Sequence, residues 1–113
     1  MAADRIIPDD PLQFIQECVR QRRVLWTYHV NMRMSKRFIP RRVIFESVRT
    51  YQIIESYPED KYLPSYLVWF RYEEAVYHAV FAADVAGQDV RVVTAYRPNP
   101  EQWTDDFKRR KRS

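Results

Sequence analysis

Glycine is almost missing from this chain: Gly87 stands alone among 113 residues. It marks the stretch Ala86–Asp89 as a turn, because a residue without Cβ is most useful where the backbone bends sharply. Cysteine is equally scarce. Cys18 alone cannot close an internal disulfide, and its neighbours Phe14, Ile15 and Val19 read as packing, not as the surroundings of a nucleophile. The two histidines, His29 and His78, lie far apart in sequence, so no spacing suggests a metal site, and no cofactor is expected. There is no run of about 18 apolar residues, and the N-terminus lacks the apolar core of a signal peptide. Neither export nor a membrane span is expected, which places the chain in the cytoplasm.

Acidic residues are also unevenly absent. Between Arg20 and Arg49 there are nine basic residues and one acid, a net charge of +8, and the tail Lys108–Arg112 adds five more positive charges. The remainder carries −9, so the formal total of +4 conceals a polarised chain. Such a distribution favours a polyanionic partner, RNA in the first place, held largely through counterion release. A solvated helix face with a fraying basic tail is the bland alternative.

What is present points to one α+β domain over residues 1–113. Its 46% apolar content suffices for a single core. Pro8-Asp9-Asp10-Pro11 opens a helix that Leu12, Phe14, Ile15, Cys18 and Val19 carry to Arg23, forming an N-terminal extension over residues 1–23. The segment Val24–Tyr28 is too short and mixed to assign. Thr27 caps a second helix from about His29 to Arg37, and Pro40 starts a third that runs to about Thr50. β-Branched and aromatic runs then mark four strands, Tyr51–Tyr57, Ser65–Tyr72, Ala75–Asp84 and Val90–Arg97. Glu73-Glu74 and Ala86–Asp89 are tight turns, so the four strands form one antiparallel sheet. The helices cover one face and leave the other partly wet, with His78, Thr94 and Tyr96 as candidates for it. A short C-terminal helix from Glu101 to about Lys108 precedes the basic tail, residues 108–113.

The chemistry is expected on the second helix. His29, Arg33 and Arg37 stand four apart, and at about 100° per residue they fall within an arc of roughly 80°. Two guanidinium forks suit a phosphate, and an imidazole trades protons near neutrality. RNA cleavage by its own 2′-hydroxyl needs a base, an acid and cations for the extra negative charge. His29 is the candidate acid or base, with Arg33 and Arg37 on the phosphate. Lys36, Arg41, Arg42, Arg97, Lys108 and Arg109 are candidates for further contacts with the RNA backbone.

The order Tyr28-His29-Val30-Asn31-Met32-Arg33-Met34-Ser35-Lys36-Arg37, Glu55-Ser56-Tyr57-Pro58-Glu59-Asp60, then Val93-Thr94-Ala95-Tyr96-Arg97-Pro98-Asn99-Pro100 and Trp103 resembles the domain-of-unknown-function family 4258 over residues 24–107. The resemblance implies a RelE/BECR-like fold related to the RelE and BrnT toxins of toxin–antitoxin pairs. It implies a metal-independent endoribonuclease and a small antitoxin partner carrying a zinc-finger segment, and it leaves room for a homodimer. Carried over by position, the family's signatures fall on His29, Arg33 and Arg37 and on Tyr57 and Tyr96, which would position the phosphate, stack on a base or donate a proton. The chain departs from the pattern at Val30, where alanine is usual, and at Phe38, where glycine is customary. The alternative function is a non-catalytic module that binds nucleic acid or a protein partner on the same scaffold.

Overall fold

In the computed structural model, residues 6–112 are described; residues 1–5, the start of the expected N-terminal extension, and Ser113, the end of the expected tail, lie outside them. Helix α1 spans Pro11–Arg20, and Asp10 caps it by accepting the Gln13 amide at 3.0 Å. Proline at the first helical position needs no partner for an N–H that it lacks. The helix turns Ile15, Cys18 and Val19 into the core.

Strand β1, Val24–Trp26, follows directly. Helix α2, Tyr28–Lys36, begins at Thr27, whose hydroxyl accepts the Val30 amide, and buries Val30 and Met34. Helix α3 is shorter than its apolar pattern suggested, Arg41–Glu46, and a 3₁₀ turn, Val48–Thr50, replaces its second half. The buried Ser47 hydroxyl donates back to the Val43 carbonyl. Such a bond competes with the helical ladder, which accounts for the change of pitch there.

Four strands then complete the sheet: β2 Gln52–Tyr57, β3 Ser65–Tyr72, β4 Ala75–Asp84 and β5 Asp89–Tyr96. The order is β1-β5-β4-β3-β2. The expected four-stranded antiparallel sheet is therefore corrected to a five-stranded mixed one. β1 pairs with β5 in parallel, Val24 opposite Val90, because α2, α3 and three strands carry the chain back to the same end before β5 starts. The other pairings are antiparallel.

The core lies between the helices and one sheet face, where Tyr66, Val68 and Phe70 of β3, Ala79, Phe81 and Ala83 of β4, and Val90, Val92 and Ala95 of β5 meet α1, α2 and α3. Tyr51 closes it, its hydroxyl donating to the Ile44 carbonyl at 2.7 Å. Burial pushes that phenol well above its ordinary pKa.

The opposite face is not the open surface expected. Residues 98–112 fold back over it as an irregular arm, with Trp103 paired to Arg110 across a β-bridge. The expected C-terminal helix is absent because Pro98 and Pro100 lead into turns, and Phe107 takes a left-handed backbone, φ 61°. Nor is Lys108–Arg112 a fraying tail. Lys108 lies over the Trp69 ring at 4.5 Å, Trp69 Nε1 donates to the Asp106 carbonyl at 2.9 Å, and Arg110 pairs with Glu55.

The shortage of glycine shows in the turns. Among the described residues, five other than glycine have left-handed backbones: Arg22, Phe38, Glu73, Gln88 and Phe107. Gly87 itself does not, and what it needs is space. A Cβ there would come within 2.7 Å of Asp84 Oδ2, whose carboxylate accepts the Gly87 amide.

Candidate functional site on α2 and the covered sheet face

Helix α2 presents three different faces. Val30 and Met34 are buried, while His29, Arg33, Lys36 and Arg37 form an exposed basic stripe on one flank. At about 100° per residue, Tyr28, Asn31, Met32 and Ser35 fall on the other flank, which carries no charge. Among the described residues, no ion pair engages the stripe. Arg37 caps the helix C-terminus and reaches the sheet, where its Nη1 donates to the Ala95 carbonyl at 2.8 Å and approaches Thr94 Oγ1 at 3.5 Å. β1 pairs only with residues 90–92 of β5, so Arg37 satisfies a strand edge that β1 is too short to cover.

Two β-bulges decide which side chains emerge on the sheet face away from the core. Between Ile53 and Glu55 the register of β2 slips by one residue, and between Val92 and Thr94 that of β5 does the same. Without the slips, strict alternation would put Glu55 and Tyr57 on the core face with Ile53, and Tyr96 there with Val92. With them, Glu55, Tyr57 and Tyr96 share the opposite face with His78 and Trp69, which pair directly across β3 and β4.

The centre of that face is His78, 0% exposed, with Tyr96 opposite it on β5. His78 Nε2 lies 2.7 Å from the Phe107 carbonyl and Nδ1 3.3 Å from the Tyr96 hydroxyl. A carbonyl can only accept, so Nε2 carries the proton, and Nδ1 accepts from Tyr96. Desolvation holds the His78 pKa below its ordinary value, which keeps the ring neutral. The Tyr96 hydroxyl is pushed up by burial and stays protonated. Trp103 packs edge-on against His78 at 4.6 Å and seals it.

Beside this pair, Arg110 grips Glu55 through two bonds, Nε to Oε2 at 2.7 Å and Nη2 to Oε1 at 3.1 Å. The guanidinium holds the Glu55 carboxyl below its usual range and is itself held more firmly protonated. Tyr57 donates its hydroxyl to the same carboxylate, and burial followed by that charge raises its pKa.

The residues expected to act are thus divided. Tyr57 and Tyr96 share one sheet face, and Arg37 lies at its edge. His29 is exposed in the first turn of α2, with the Tyr28 ring 6.1 Å away. Arg37 lies eight positions further along the helix, a rise of about 12 Å. Of the expected phosphate-binding residues, Lys36, Arg42 and Arg109 are exposed, while Arg41 donates to Asn31 Oδ1 at 2.7 Å and lies over Trp26. Arg97 and Lys108 line a cleft of about 700 Å³ with Arg49 and Arg71, which sequence reasoning passed over, and with the acids Glu74, Asp105 and Asp106. Glu55, Arg110 and Trp103 were missed as partners of the site. Glu55 and Trp103 stood in the quoted motifs and Arg110 in the basic tail, but nothing local links Glu55 to Arg110, 55 positions later.

Among the described residues, no group of three or more His, Cys, Asp or Glu side chains could hold a metal ion, and no helix is long and apolar enough to cross a membrane. No curated protein and no solved structure matches this chain. A family model does match, over residues 26–97, from the last residue of β1 through α2 and the sheet to the residue that precedes the arm. By that match, which covers well over half of its length, the chain belongs to the family described as a domain of unknown function, DUF4258.

Proposed function

We propose that this protein is a metal-independent endoribonuclease of the toxin type, held in check by a small antitoxin. The observation that carries the reading is the exposed basic stripe of α2, free of carboxylate partners among the described residues and tied through Arg37 to the strand that bears Tyr96. An RNA backbone lying along the stripe meets His29, Arg33 and Arg37 in succession, about one helical turn apart. The 2′-oxygen attacks the adjacent phosphorus as the bond to the 5′-oxygen breaks, leaving a 2′,3′-cyclic phosphate and a free 5′-hydroxyl. His29 takes the 2′-hydroxyl proton or gives one to the departing 5′-oxygen, water serves for the other transfer, and Arg33 stabilises the charge that develops on the phosphate. Arg37, one turn further on, holds the same or the next phosphate. Tyr96 spends its one hydroxyl proton on His78 Nδ1, so in this arrangement it helps to build the face beside Arg37 and does not donate to the phosphate. The Tyr57 hydroxyl is engaged by Glu55, so its contribution is to the packing of the face.

A second reading is non-catalytic binding. It is favoured by one feature of His29: among the described residues it has no hydrogen-bond partner to orient its ring, whereas catalytic bases are usually oriented. The two readings separate in cleavage of a labelled RNA in excess EDTA by the original protein and by His29→Ala and Arg33→Ala. The nuclease reading expects His29→Ala to lose turnover while keeping affinity, and Arg33→Ala to lose about a hundredfold or more in rate. Salt-sensitive binding with no cleavage by any of the three would support the binding module.

A further inference from the structure

Helix α2 closes on a residue poorly suited to its place. Phe38 has φ 58°, its N–H donates to the Ser35 carbonyl at 3.1 Å, and the Ile39 N–H donates to Met34 at 2.9 Å. This pair of bonds defines a Schellman ending, whose left-handed residue is ordinarily glycine because any Cβ is strained there. α1 ends in the same way, but with Arg22, whose polar end remains in solvent and over Phe45. Phe38 has no such outlet. Its ring is 89% exposed, so it gains almost nothing from burial in return for the strain.

The ring stands at the rim of a groove of about 480 Å³ on the uncharged flank of α2, away from the basic stripe. Met34, Ile39 and Pro40 give the groove apolar surface, and Asn31, Ser35 and Arg41 give it polar groups. No carboxylate lines it. Arg41 donates to Asn31 Oδ1 at 2.7 Å and is itself stacked on Trp26 at 4.5 Å, so the Asn31 amide is already oriented. Its oxygen is taken, and among the described residues its NH₂ has no acceptor. An exposed aromatic face, a fixed amide donor and a fixed guanidinium beside an apolar floor suit a flat ring with a polar edge and a nearby phosphate.

We propose that this groove takes an unpaired base of single-stranded RNA. The base stacks on Phe38, the Asn31 NH₂ donates to an acceptor on its edge, and Arg41 holds the flanking phosphate. The proposal rests on α2 being an RNA-binding element and adds a second, base-reading flank to it. A protein side chain is the competing occupant, and it predicts no dependence on bases.

The test uses the full chain, its Phe38→Gly, Phe38→Trp and Arg33→Ala variants, and two probes. One is a labelled single-stranded RNA of about 12 nucleotides, and the other a ribose–phosphate chain of equal length without bases. Phe38→Gly should melt about 3 °C or more above the original protein, since it relieves the left-handed strain. It should nevertheless bind the RNA about tenfold more weakly while binding the base-free chain unchanged. Phe38→Trp should keep the RNA affinity, and Arg33→Ala should weaken both probes alike. Unchanged RNA binding by Phe38→Gly, with Arg33→Ala still impaired, overturns the base slot and leaves the RNA reading standing. A lowered melting point for Phe38→Gly makes the residue structural and overturns the proposal. Absence of salt-sensitive binding to either probe by the original protein overturns the RNA reading together with the slot.

Discussion

His78 shows how one side chain can be both well satisfied and a liability. Both ring nitrogens have partners, yet the ring is fully buried and its protonation is disfavoured by desolvation. The folded pKa lies below the ordinary value of 6.5, so as pH falls through 6.5 the unfolded chain takes up a proton that the folded chain resists. Stability is therefore present above that pH and falls below it, by at most about 1.4 kcal/mol per pH unit, until the folded ring also protonates. Urea unfolding at pH 7, 6 and 5 should show this loss in the original protein. In His78→Gln the loss should shrink, although the variant is less stable throughout because one ring contact with Trp103 is lost. An unchanged pH profile would mean that other groups set it. In sequence, His78 looked like a candidate for a partly wet face; its place within an apolar run gave the burial, but not the Phe107 carbonyl, 29 residues away.

At the scale of elements, the arm over residues 98–112 and the two bulges matter most. The arm is held by Arg110 on Glu55, Trp69 on Asp106 and Trp103 on His78. Arg110 is 59% exposed and Glu55 24%, so solvent screening limits the pair to about 0.5–1 kcal/mol. Arg110→Ala should accordingly loosen the arm without unfolding the domain. Hydrogen exchange should quicken at the Thr104 and Lys111 amides, which bond within the arm, while the amides between β3 and β4 stay protected. Equal acceleration in both places would mean that the arm and the sheet unfold as one unit. The helices were legible because their signals are local. Asp10, Pro11 and Thr27 act on residues within one turn of themselves. The bulges were not, because the slips at β2 and β5 exist only against particular partner strands.

For the whole molecule, the polarised charge of the sequence takes a definite shape. The block from Arg20 to Arg49 retains free cations on α2, whereas Arg110 from the tail is neutralised by Glu55 and Lys108 lies on Trp69. If α2 binds RNA as proposed, the affinity should lose about 0.7 from its logarithmic salt slope when Lys36 or Arg33 becomes alanine, and close to nothing for Arg110→Ala. Titration of binding between about 50 and 200 mM salt measures this, and an equal loss for Arg110 would place the tail in the interface. By itself the sequence determined the α+β class, α1 and the start of α2, the β3–β4 turn, the basic block and the DUF4258 likeness. All but the likeness rest on periodicity, capping and composition, which act over a few residues; the likeness rests on the order of the quoted motifs. Tertiary structure alone decided the fifth strand and its parallel pairing, the face on which Tyr57 and Tyr96 emerge, and the docking of the tail. Each of these depends on contacts between residues tens of positions apart, which no local pattern encodes.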